Sequence, residues 1–369
     1  MNIKGNLRKI TELGIGFTAI TILALAGCGG SGGGGNGSST IAGLVSTFAQ
    51  FSAPAYIASD GTNLYVTDLI HNNIRKITIA TGAVSIFAGS PTGASGVADA
   101  PTGPGTSALF NQPHGITIDA ANLNLYVADS GNNNIRQIAL STGSVTTIAG
   151  SITGASGTAN ATGTAARFNY PWGISRIGTN LYVADPVNGT IRKIDISGAS
   201  AVVTTLAGTP GGFGYSDSLT GASAVFGYPA ALSADGASFV YVTELLNNDV
   251  RKINASTGET TTVAGGNYFS PASGVGSADG TGTSARFYSP YGVTTDGTNL
   301  YVADTFNHTI RKIVISTSVV STLAGTAGVS GVTDATGPAA RFTYPFDVIY
   351  VNGVLYVADF TNGSIRKIQ

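Results

Sequence analysis

The sequence contains one cysteine, Cys28, among 369 residues, which excludes a disulfide bond within the chain and a zinc site built from several thiolates. Charged residues are also scarce, at 10% of the chain. The 18 basic side chains nearly balance the 19 acidic ones and form no basic run, which argues against nucleic acid as the main partner. Glycine is abundant, at 52 positions, and 43% of the residues are hydrophobic. This composition is typical of a globular domain made of short strands and tight turns.

The first 27 residues have the pattern of a secretory signal. Basic side chains precede the apolar stretch 13–27, which is too short for an ordinary transmembrane helix. The stretch ends in Leu-Ala-Gly before Cys28, an ending that resembles the lipobox of bacterial lipoproteins. The resemblance implies cleavage before Cys28 and lipidation of that cysteine, so residues 1–27 are interpreted as a lipoprotein signal peptide. The alternative is an ordinary signal peptide beside an unmodified thiol.

Residues 28–43 are predicted to be a flexible tether, because glycine and serine dominate them. Acyl chains on the cysteine would hold a soluble domain at a membrane outside the cytoplasm, in the bacterial cell envelope. Gly29 follows the cysteine, so the acidic signal for retention at the inner membrane is absent and the outer membrane is open where the cell has one. We expect the anchored protein to be a monomer.

Beyond the tether, one unit recurs six times. Its marker is "LYVAD" or a close variant, and "VYVTE" at 240–244 is the most diverged copy. The marker tyrosines are separated by 61, 56, 59, 60 and 55 residues. They are Tyr65, Tyr126, Tyr182, Tyr241, Tyr301 and Tyr356. A fixed period of this size indicates a repeat architecture.

Each unit contains four strand candidates, called a to d in chain order. In the second unit they are "GITID" (115–119), "LYVAD" (125–129), "IRQIAL" (135–140) and "VTTIAG" (145–150). Four short antiparallel strands per unit predict the blades of an all-β propeller. The units resemble those of the NHL-repeat family over residues 44–369. The resemblance implies a six-bladed β-propeller of four-stranded antiparallel blades.

The two ends of the repeat region complement each other. The sixth unit stops at residue 369 after strand c, and the missing strand d matches "LVSTFAQ" (44–50). An N-terminal strand that completes the last blade would close the ring and remove an open sheet edge. We therefore predict six blades, with the last completed from the N-terminus.

Five connections from strand d to the next strand a are long, and the sixth, Gln50 to Ala53, is short. The strand directions place these connections on the same face as the turns between strands b and c. The expected result is a crown of five loops with a gap between blades six and one. Each long loop carries a phenylalanine three residues before a proline, and we interpret it as a buried plug. These are Phe110, Phe168, Phe226, Phe287 and Phe342, with Phe51 in the short connection.

The residues that follow the prolines at the head of strand a should lie nearest the axis. Several of them, or their neighbours, break the repeat with an aromatic, imidazole or carboxyl group, which predicts a ligand-binding mouth on the loop face. The candidates are Tyr56, His114, Trp172, Tyr291, Phe346 and Asp347. The alternative is that these side chains only fill the narrow channel.

Metal sites have little support in the ligand spacing. Two of the three histidines lie in turns between strands b and c, away from the axis; the three are His71, His114 and His308. Oxygen donors recur in the long loops and suit Ca²⁺, but one donor per loop is thin coordination. These donors are Asp99, Asn160, Asp217, Asp279 and Asp334. We therefore predict no cofactor, although calcium or zinc stays open.

An acid at the end of strand b and an arginine in strand c occur in all six units. A ring has no catalytic use for six identical pairs, so we interpret them as structural pairs that close each hairpin. The pairs are Asp68 and Arg75, Asp129 and Arg136, Asp185 and Arg192, Glu244 and Arg251, Asp304 and Arg311, and Asp359 and Arg366.

The resulting functional prediction is a lipid-anchored binding or interaction protein that uses the loop face and the axial mouth. Its partner would be a protein, a peptide or a glycan. The alternative is an enzyme of the lyase or lactonase type found on related propellers, with a metal in the central channel. A purely structural envelope protein also remains open, because a fold does not specify a function.

Overall fold

The computed structural model describes residues 43–119, 121, 123–266 and 275–369. The predicted signal peptide and Cys28 lie outside the described residues. In the described part, no helix is long and apolar enough to cross a membrane.

Six antiparallel sheets form the blades, as the repeat predicts. In the order a to d, blade one contains Pro54–Ser59, Asn63–Asp68, Asn73–Thr78 and Val84–Gly89; blade two Pro113–Ile118, Asn124–Asp129, Asn134–Ala139 and Val145–Gly150; blade three Ile174–Ile177, Asn180–Asp185, Thr190–Asp195 and Val202–Ala207. Blade four contains Pro229–Ala234, Phe239–Glu244, Asp249–Asn254 and Thr260–Gly265; blade five Pro290–Thr295, Asn299–Asp304, Thr309–Val314 and Val319–Ala324; blade six Pro345–Val351, Val354–Asp359, Ser364–Ile368 and, from the N-terminus, Val45–Gln50.

The closure of the ring is confirmed. Val45–Gln50 pairs antiparallel with Ser364–Ile368, and the register joins Val45 to Ile368 and Gln50 to Ser364. Blade six therefore has its strand d from the opposite end of the chain. The pairing ties the two ends of the described propeller together and leaves no gap in the ring of blades.

The core lies between neighbouring blades. Strand b is buried along almost its whole length in every blade, because both of its faces pack against another blade. One such cluster joins Tyr126 and Ile135 of blade two to Leu181 and Val183 of blade three. The "LYV" marker is therefore a packing motif: its leucine, tyrosine and valine fill the space between blades.

The turn from strand b to strand c ends in a residue with left-handed backbone. This residue is Asn133 in blade two (φ 56°) and His308 in blade five (φ 59°). Asparagine and histidine tolerate this conformation better than most residues. His308 also accepts a hydrogen bond from the backbone N–H of Tyr344 at its Nδ1 (3.1 Å), as Asn133 does from Tyr170 (2.7 Å). His308 thus has the position of a turn asparagine.

The described part also contains eight helices of the 3₁₀ type, each of three residues. They are Gly105–Ser107, Ser130–Asn132, Gly163–Ala165, Pro186–Asn188, Gly221–Ser223, Gly282–Ser284, Thr305–Asn307 and Gly337–Ala339. Three of them follow strand b, and the other five lie in the long connections.

The long connections do not form the expected crown. Each starts and ends on the predicted face, but its middle runs along the outer edge of the next blade. Ala100 pairs with Val145, for example, and the two-residue strand Gly280–Thr281 pairs with Val319 and Val320. The expectation that the loops crowd one face is therefore wrong, because their backbone groups bond to the free edges of strand d. The connection before blade one is short, so the outer edge of its strand d has no covering segment among the described residues.

Candidate functional site

The residues predicted to rim an open mouth are buried. Tyr56, His114, Trp172, Tyr291, Phe346 and Asp347 are each at most 5% exposed. His114 stacks on Trp172 with 5.1 Å between ring centroids, Trp172 on Tyr291 with 5.6 Å, and Tyr291 contacts Phe346 at 4.3 Å. These rings, with Tyr56, form an aromatic layer across the channel near the heads of the strands a. The expectation of an open mouth at this level is wrong, since the layer closes it.

Glycine at the next position lets neighbouring strands a approach closely. A Cβ added to Gly173 would lie 2.7 Å from the Cα of Ala231, closer than real side-chain atoms come. The close approach is held by hydrogen bonds between blades: the N–H of Gly115 donates to the carbonyl of Trp172 (3.1 Å), and that of Gly173 to Ala230 (2.9 Å). Rings from different blades can therefore meet on the axis.

Polar atoms inside the aromatic layer lack partners among the described residues. They are Tyr56 Oη, His114 Nε2, Trp172 Nε1 and Tyr291 Oη. Burial lowers the pKa of His114 to about 4, although the carbonyl of Gln112, 2.9 Å from Nδ1, raises it. His114 is therefore neutral at physiological pH, with its proton on Nδ1 and an accepting lone pair on Nε2. The layer thus presents both donors and acceptors to a polar group.

A cavity of about 610 Å³ opens on the opposite side of this layer, toward the turns between strands a and b. This volume is typical of sites for small molecules. Its wall includes a belt of hydroxyl groups at the fourth position after the proline, contributed by Thr117, Ser175, Ser233 and Thr294. Ser175 and Thr294 already accept backbone N–H groups, from Ala234 (2.9 Å) and Tyr350 (3.1 Å), and keep their own hydrogens to donate.

At the next position along strand a, the fifth after the proline, two blades differ strongly from the other four. The wall contains Arg176 in blade three and Tyr350 in blade six, which is the opposite blade of the ring. Arg176 is held by a hydrogen bond from its Nε to the carbonyl of Ile118 (3.0 Å) and by a second one to Gly178. Both side chains are half-buried. Opposite blades of the ring therefore contribute a cation and an aromatic residue to the cavity wall, and the Tyr350 ring also stacks on Tyr301 with 6.5 Å between centroids.

Asp347 lies at the inner end of the cavity, beside the aromatic layer. Its Oδ2 accepts the N–H of Ile57 in blade one (2.9 Å), which connects blades six and one. Burial raises the pKa of Asp347 to about 7, against the opposing effect of this hydrogen bond. The group therefore changes charge near neutral pH and can either donate or accept a hydrogen bond there.

We expect Asp347→Asn to stabilise the protein above neutral pH and to change little in acid. The folded pKa is raised from 3.8 to about 7, so burial of the group costs nothing below about pH 4, where it is protonated in both states. The cost is complete above about pH 7, where the native protein must hold a buried charge. Wild type should therefore lose about 4 kcal/mol relative to the variant between about pH 4 and pH 8, measured by urea unfolding.

Asp296→Asn is the matched control for this experiment. Although Asp296 is partly desolvated, hydrogen bonds from Asn299 and Thr298 lower its pKa. Its contribution to stability is present at neutral pH and lost in acid, so this control should have the opposite sign. An equal stability difference between wild type and Asp347→Asn at both pH values would contradict the assignment.

The predicted acid–arginine pairs are brought together in all six blades. The N–O distance is 2.6–2.9 Å in blades two to six and 3.3 Å in blade one. Asp129 also accepts hydrogen bonds from the N–H of Asn111 and from Asn132 (both 2.7 Å). Burial raises the pKa of Asp129 to about 6, against the effect of Arg136, so the pair is ionised at pH 7.5. None of these pairs lines the axial cavity.

The loop oxygens considered as calcium ligands bond to the same arginines. Asp99 Oδ1 accepts from Arg136 (2.7 Å) and from the hydroxyl of Thr147 (3.0 Å), while its Oδ2 accepts the N–H of Thr147 (3.0 Å). Asn160, Asp217, Asp279 and Asp334 make equivalent bonds to the arginines of blades three to six. Among the described residues, no group of three or more His, Cys, Asp or Glu side chains has the proximity that a metal site needs.

Comparison with known proteins agrees with the repeat and the geometry. A family model of the NHL repeat matches residues 110–138, which run from Phe110 to strand c of blade two. NHL repeat-containing protein 2 of Gallus gallus is 29% identical over 358 residues, which cover 86% of this chain and 46% of the relative. The chain is an NHL-repeat β-propeller. It spans less than half the length of the curated relatives it matches.

Solved structures share the NHL propeller's fold at low sequence identity. An auxiliary nutrient binding protein from Bacteroides thetaiotaomicron has a TM-score of 0.65 at 16% identity, covering 88% of this chain and 76% of that one. A streptogramin B lyase has a TM-score of 0.51 at 12% identity, covering 90% and 99%. At this identity the likeness shows the fold alone.

Of the sequence-based candidates, Tyr56 and Asp347 line the cavity, whereas Arg176, Tyr350 and the hydroxyl belt are not among them. The candidates are the first two residues after each proline, whereas Arg176 and Tyr350 are the fifth, where other blades have Ser59, Ile118, Ala234 and Thr295. This difference between blades is visible in the sequence and marks both residues as breaks in the repeat. The hydroxyl belt was harder to recognise, since serine and threonine are common on every strand of this chain.

Proposed function

We propose that this NHL propeller is a lipid-anchored binding protein of the bacterial cell envelope that takes a small, hydroxyl-rich ligand such as a mono- or disaccharide into the axial cavity. The proposal rests on the composition of the cavity wall. Side chains that differ from those at the same position of the other blades lie there beside a belt of hydroxyl groups. The anchor is supported by the lipobox-like sequence that ends at Cys28.

Each part of the wall has a role in this proposal. The belt donates to ligand oxygens, and Arg176 binds a hydroxyl, carboxylate or ring oxygen. Tyr350 offers a face on which the apolar side of a sugar ring packs. Asp347, at the inner end, accepts from the deepest hydroxyl. The contacts are polar and directional, which gives specificity within a cavity of this size. The enzymatic alternative stays a prediction of the sequence.

A panel of neutral and acidic mono- and disaccharides, with dipeptides of similar size, tests the proposal by isothermal titration calorimetry. We expect saturable binding of one saccharide class, weakened about tenfold or more by Arg176→Gln and by Tyr350→Ala, since each removes a direct contact. Leu219→Ala is the control: this side chain is 81% exposed in a loop outside the cavity, and the variant should bind like wild type. The proposal would be contradicted if neither cavity variant changed the affinity for the saccharide, or if only dipeptides bound.

A further inference from the structure

Five blades have the outer edge of strand d covered by the preceding long connection, and they use one pattern of bonds. In blade two, Val145 and Ala100 exchange backbone hydrogen bonds (3.0 Å each), and the N–H of Thr147 donates to Asp99 (3.0 Å). Arg136 completes the pattern by donating to Asp99 and to the carbonyl of Ala98 (2.9 Å). The covering segment is thus an extended strand with a carboxylate aimed at the arginine.

Blade one lacks this cover because the connection before it is short. Its strand d, Val84–Gly89, pairs in the described structure with strand c alone. Val84 is 38% exposed, whereas Val145 in the same place of blade two is fully buried. The N–H groups of Val84 and Ile86, which correspond to those of Val145 and Thr147, therefore face outward at a free sheet edge.

The arginine beneath this edge is also incompletely paired. The side chain of Arg75 is 24% exposed, while the five equivalent arginines are at most 1% exposed. Its Nε lies 3.3 Å from Asp68 and has no hydrogen-bond partner among the described residues. The second acid that the equivalent arginines of blades two, four, five and six bind is absent here.

Blade one differs at one more position of this edge. Ile86 replaces the threonine whose hydroxyl bonds to the covering segment in the other blades, namely Thr147, Thr205, Thr262, Thr322 and Thr47. The free edge therefore joins a partly exposed cation that has one acidic partner to an apolar side chain, a combination suited to a partner strand with both kinds of residue.

We propose that the outer edge of blade one binds an extended peptide segment of another protein, which adds as a fifth strand and places an Asp or Glu on Arg75. Backbone bonds to Val84 and Ile86 give the peptide its register, and an apolar peptide residue packs on Ile86. The site lies at the periphery of the ring and is independent of the axial cavity.

Two other occupants fit the edge less well. A second copy pairing through the same strand would bring no carboxylate, because "VSIFAG" has no acid, and would place two Arg75 side chains at one interface. The chain's own residues before 43 contain one acid, Glu12, which lies in the predicted signal peptide. Charge complementarity therefore favours an acidic segment from a different protein.

A synthetic peptide copied from the covering segment of another blade can serve as the probe for this site. The octapeptide GVTDATGP copies residues 331–338, which include the segment that covers blade six. Fluorescence anisotropy with the labelled peptide should show saturable binding to the purified protein. A peptide with Ala in place of Asp should bind about tenfold more weakly, since it loses a charged hydrogen bond.

Protein variants test each proposed contact with the peptide individually. Arg75→Gln should weaken binding about tenfold, and Ile86→Pro should abolish it by removing an outward N–H that strand c does not use. Ile86→Thr restores the hydroxyl of the other blades and should tighten binding roughly fivefold. Lys76→Gln removes one positive charge from the neighbouring position and is the control, with binding expected within about twofold of wild type.

Hydrogen exchange of the Val84 and Ile86 amides provides the second readout. They should exchange rapidly in the free protein and slowly with the peptide. The proposal would be overturned if the peptide showed no saturable binding or if the Arg75 and Ile86 variants left its binding unchanged. It would also be overturned if the two amides were already protected in the free monomer. Protection that grows with protein concentration would identify a second copy as the occupant. Saccharide binding is expected to be unaffected by every one of these variants, which separates failure here from failure of the cavity proposal.

Discussion

Arg136→Gln is expected to lower the free energy of unfolding by about 3–5 kcal/mol, because it leaves the Asp129 carboxylate buried without its cation. Both side chains are fully buried, and Arg136 also bonds to Asp99 and to the carbonyls of Ala98 and Leu109. Its guanidinium lies 5.0 Å from the centre of the Phe110 ring, so the substitution also removes a cation–π contact. Equilibrium unfolding in urea measures the loss.

Arg75→Gln is the matched control, since the same substitution in blade one affects a side chain that is 24% exposed and has one acidic partner. Its cost should be about 1 kcal/mol or less, as for a solvent-accessible ion pair. Equal losses for the two variants would contradict the structural role assigned to the second acid and the covering loop. A variant of Arg136 that folds with full stability but loses ligand binding would contradict the interpretation of these pairs as structural.

Trp172→Ala is expected to cost about 3–5 kcal/mol, since it opens a large cavity at the centre of the aromatic layer. Trp172 is 2% exposed and contacts His114, Tyr291 and Tyr228, the last with 5.4 Å between ring centroids. These rings come from blades two to five, so the loss should reduce the cooperativity with which the ring closes. Thermal and urea unfolding of the same variant test this.

Trp172→Phe separates packing from polarity in the same layer. Phenylalanine keeps most of the stacking area and removes the indole N–H, which has no hydrogen-bond partner among the described residues. The expected loss is therefore about 1–2 kcal/mol, well below that of the alanine variant. If Trp172→Ala unfolds at the same urea concentration as wild type, the layer is not a structural closure of the channel.

The two proposed binding sites share one origin: each is a place where the sixfold repeat is broken. Repetition in every blade marked the acid–arginine pairs as structural, and the bonds of Arg136 and its equivalents agree with that interpretation. In contrast, Arg176 and Tyr350 have no counterpart in the other blades, and Ile86 lies where the other five have threonine. Symmetry in a closed ring serves packing, so asymmetry is where recognition of an asymmetric ligand has to arise.

Much of the fold was predictable because its signals are local or periodic. The spacing of the "LYV" tyrosines indicated six units, and the match of residues 44–50 to other copies of strand d indicated how the ring closes. Short runs of β-branched residues bounded by glycine and asparagine marked the strands. Each inference needed only the alternation of side chains along a strand and the need to pair every sheet edge.

The open or closed state of the channel was not accessible to the same reasoning. Trp172 and Tyr291 were correctly placed near the axis, but whether rings from opposite blades leave a hole depends on the radius and tilt of the strands to within about an ångström. The periodicity of a sequence does not encode the distances between blades. The cavity consequently lies on the face opposite to the predicted mouth.

The sequence alone was sufficient for the repeat number, the strand order, the closing strand and the pairing of each acid with its arginine, because these follow from periodicity and from neighbours along the chain. Only the folded structure shows that Arg176 and Tyr350 line one cavity, that the long loops run along the blade edges, and that Arg75 lacks the partner its equivalents have. Such contacts join residues up to nearly 300 positions apart, as between Asp347 and Ile57. The curvature of the whole ring sets their distances, and no local pattern encodes it.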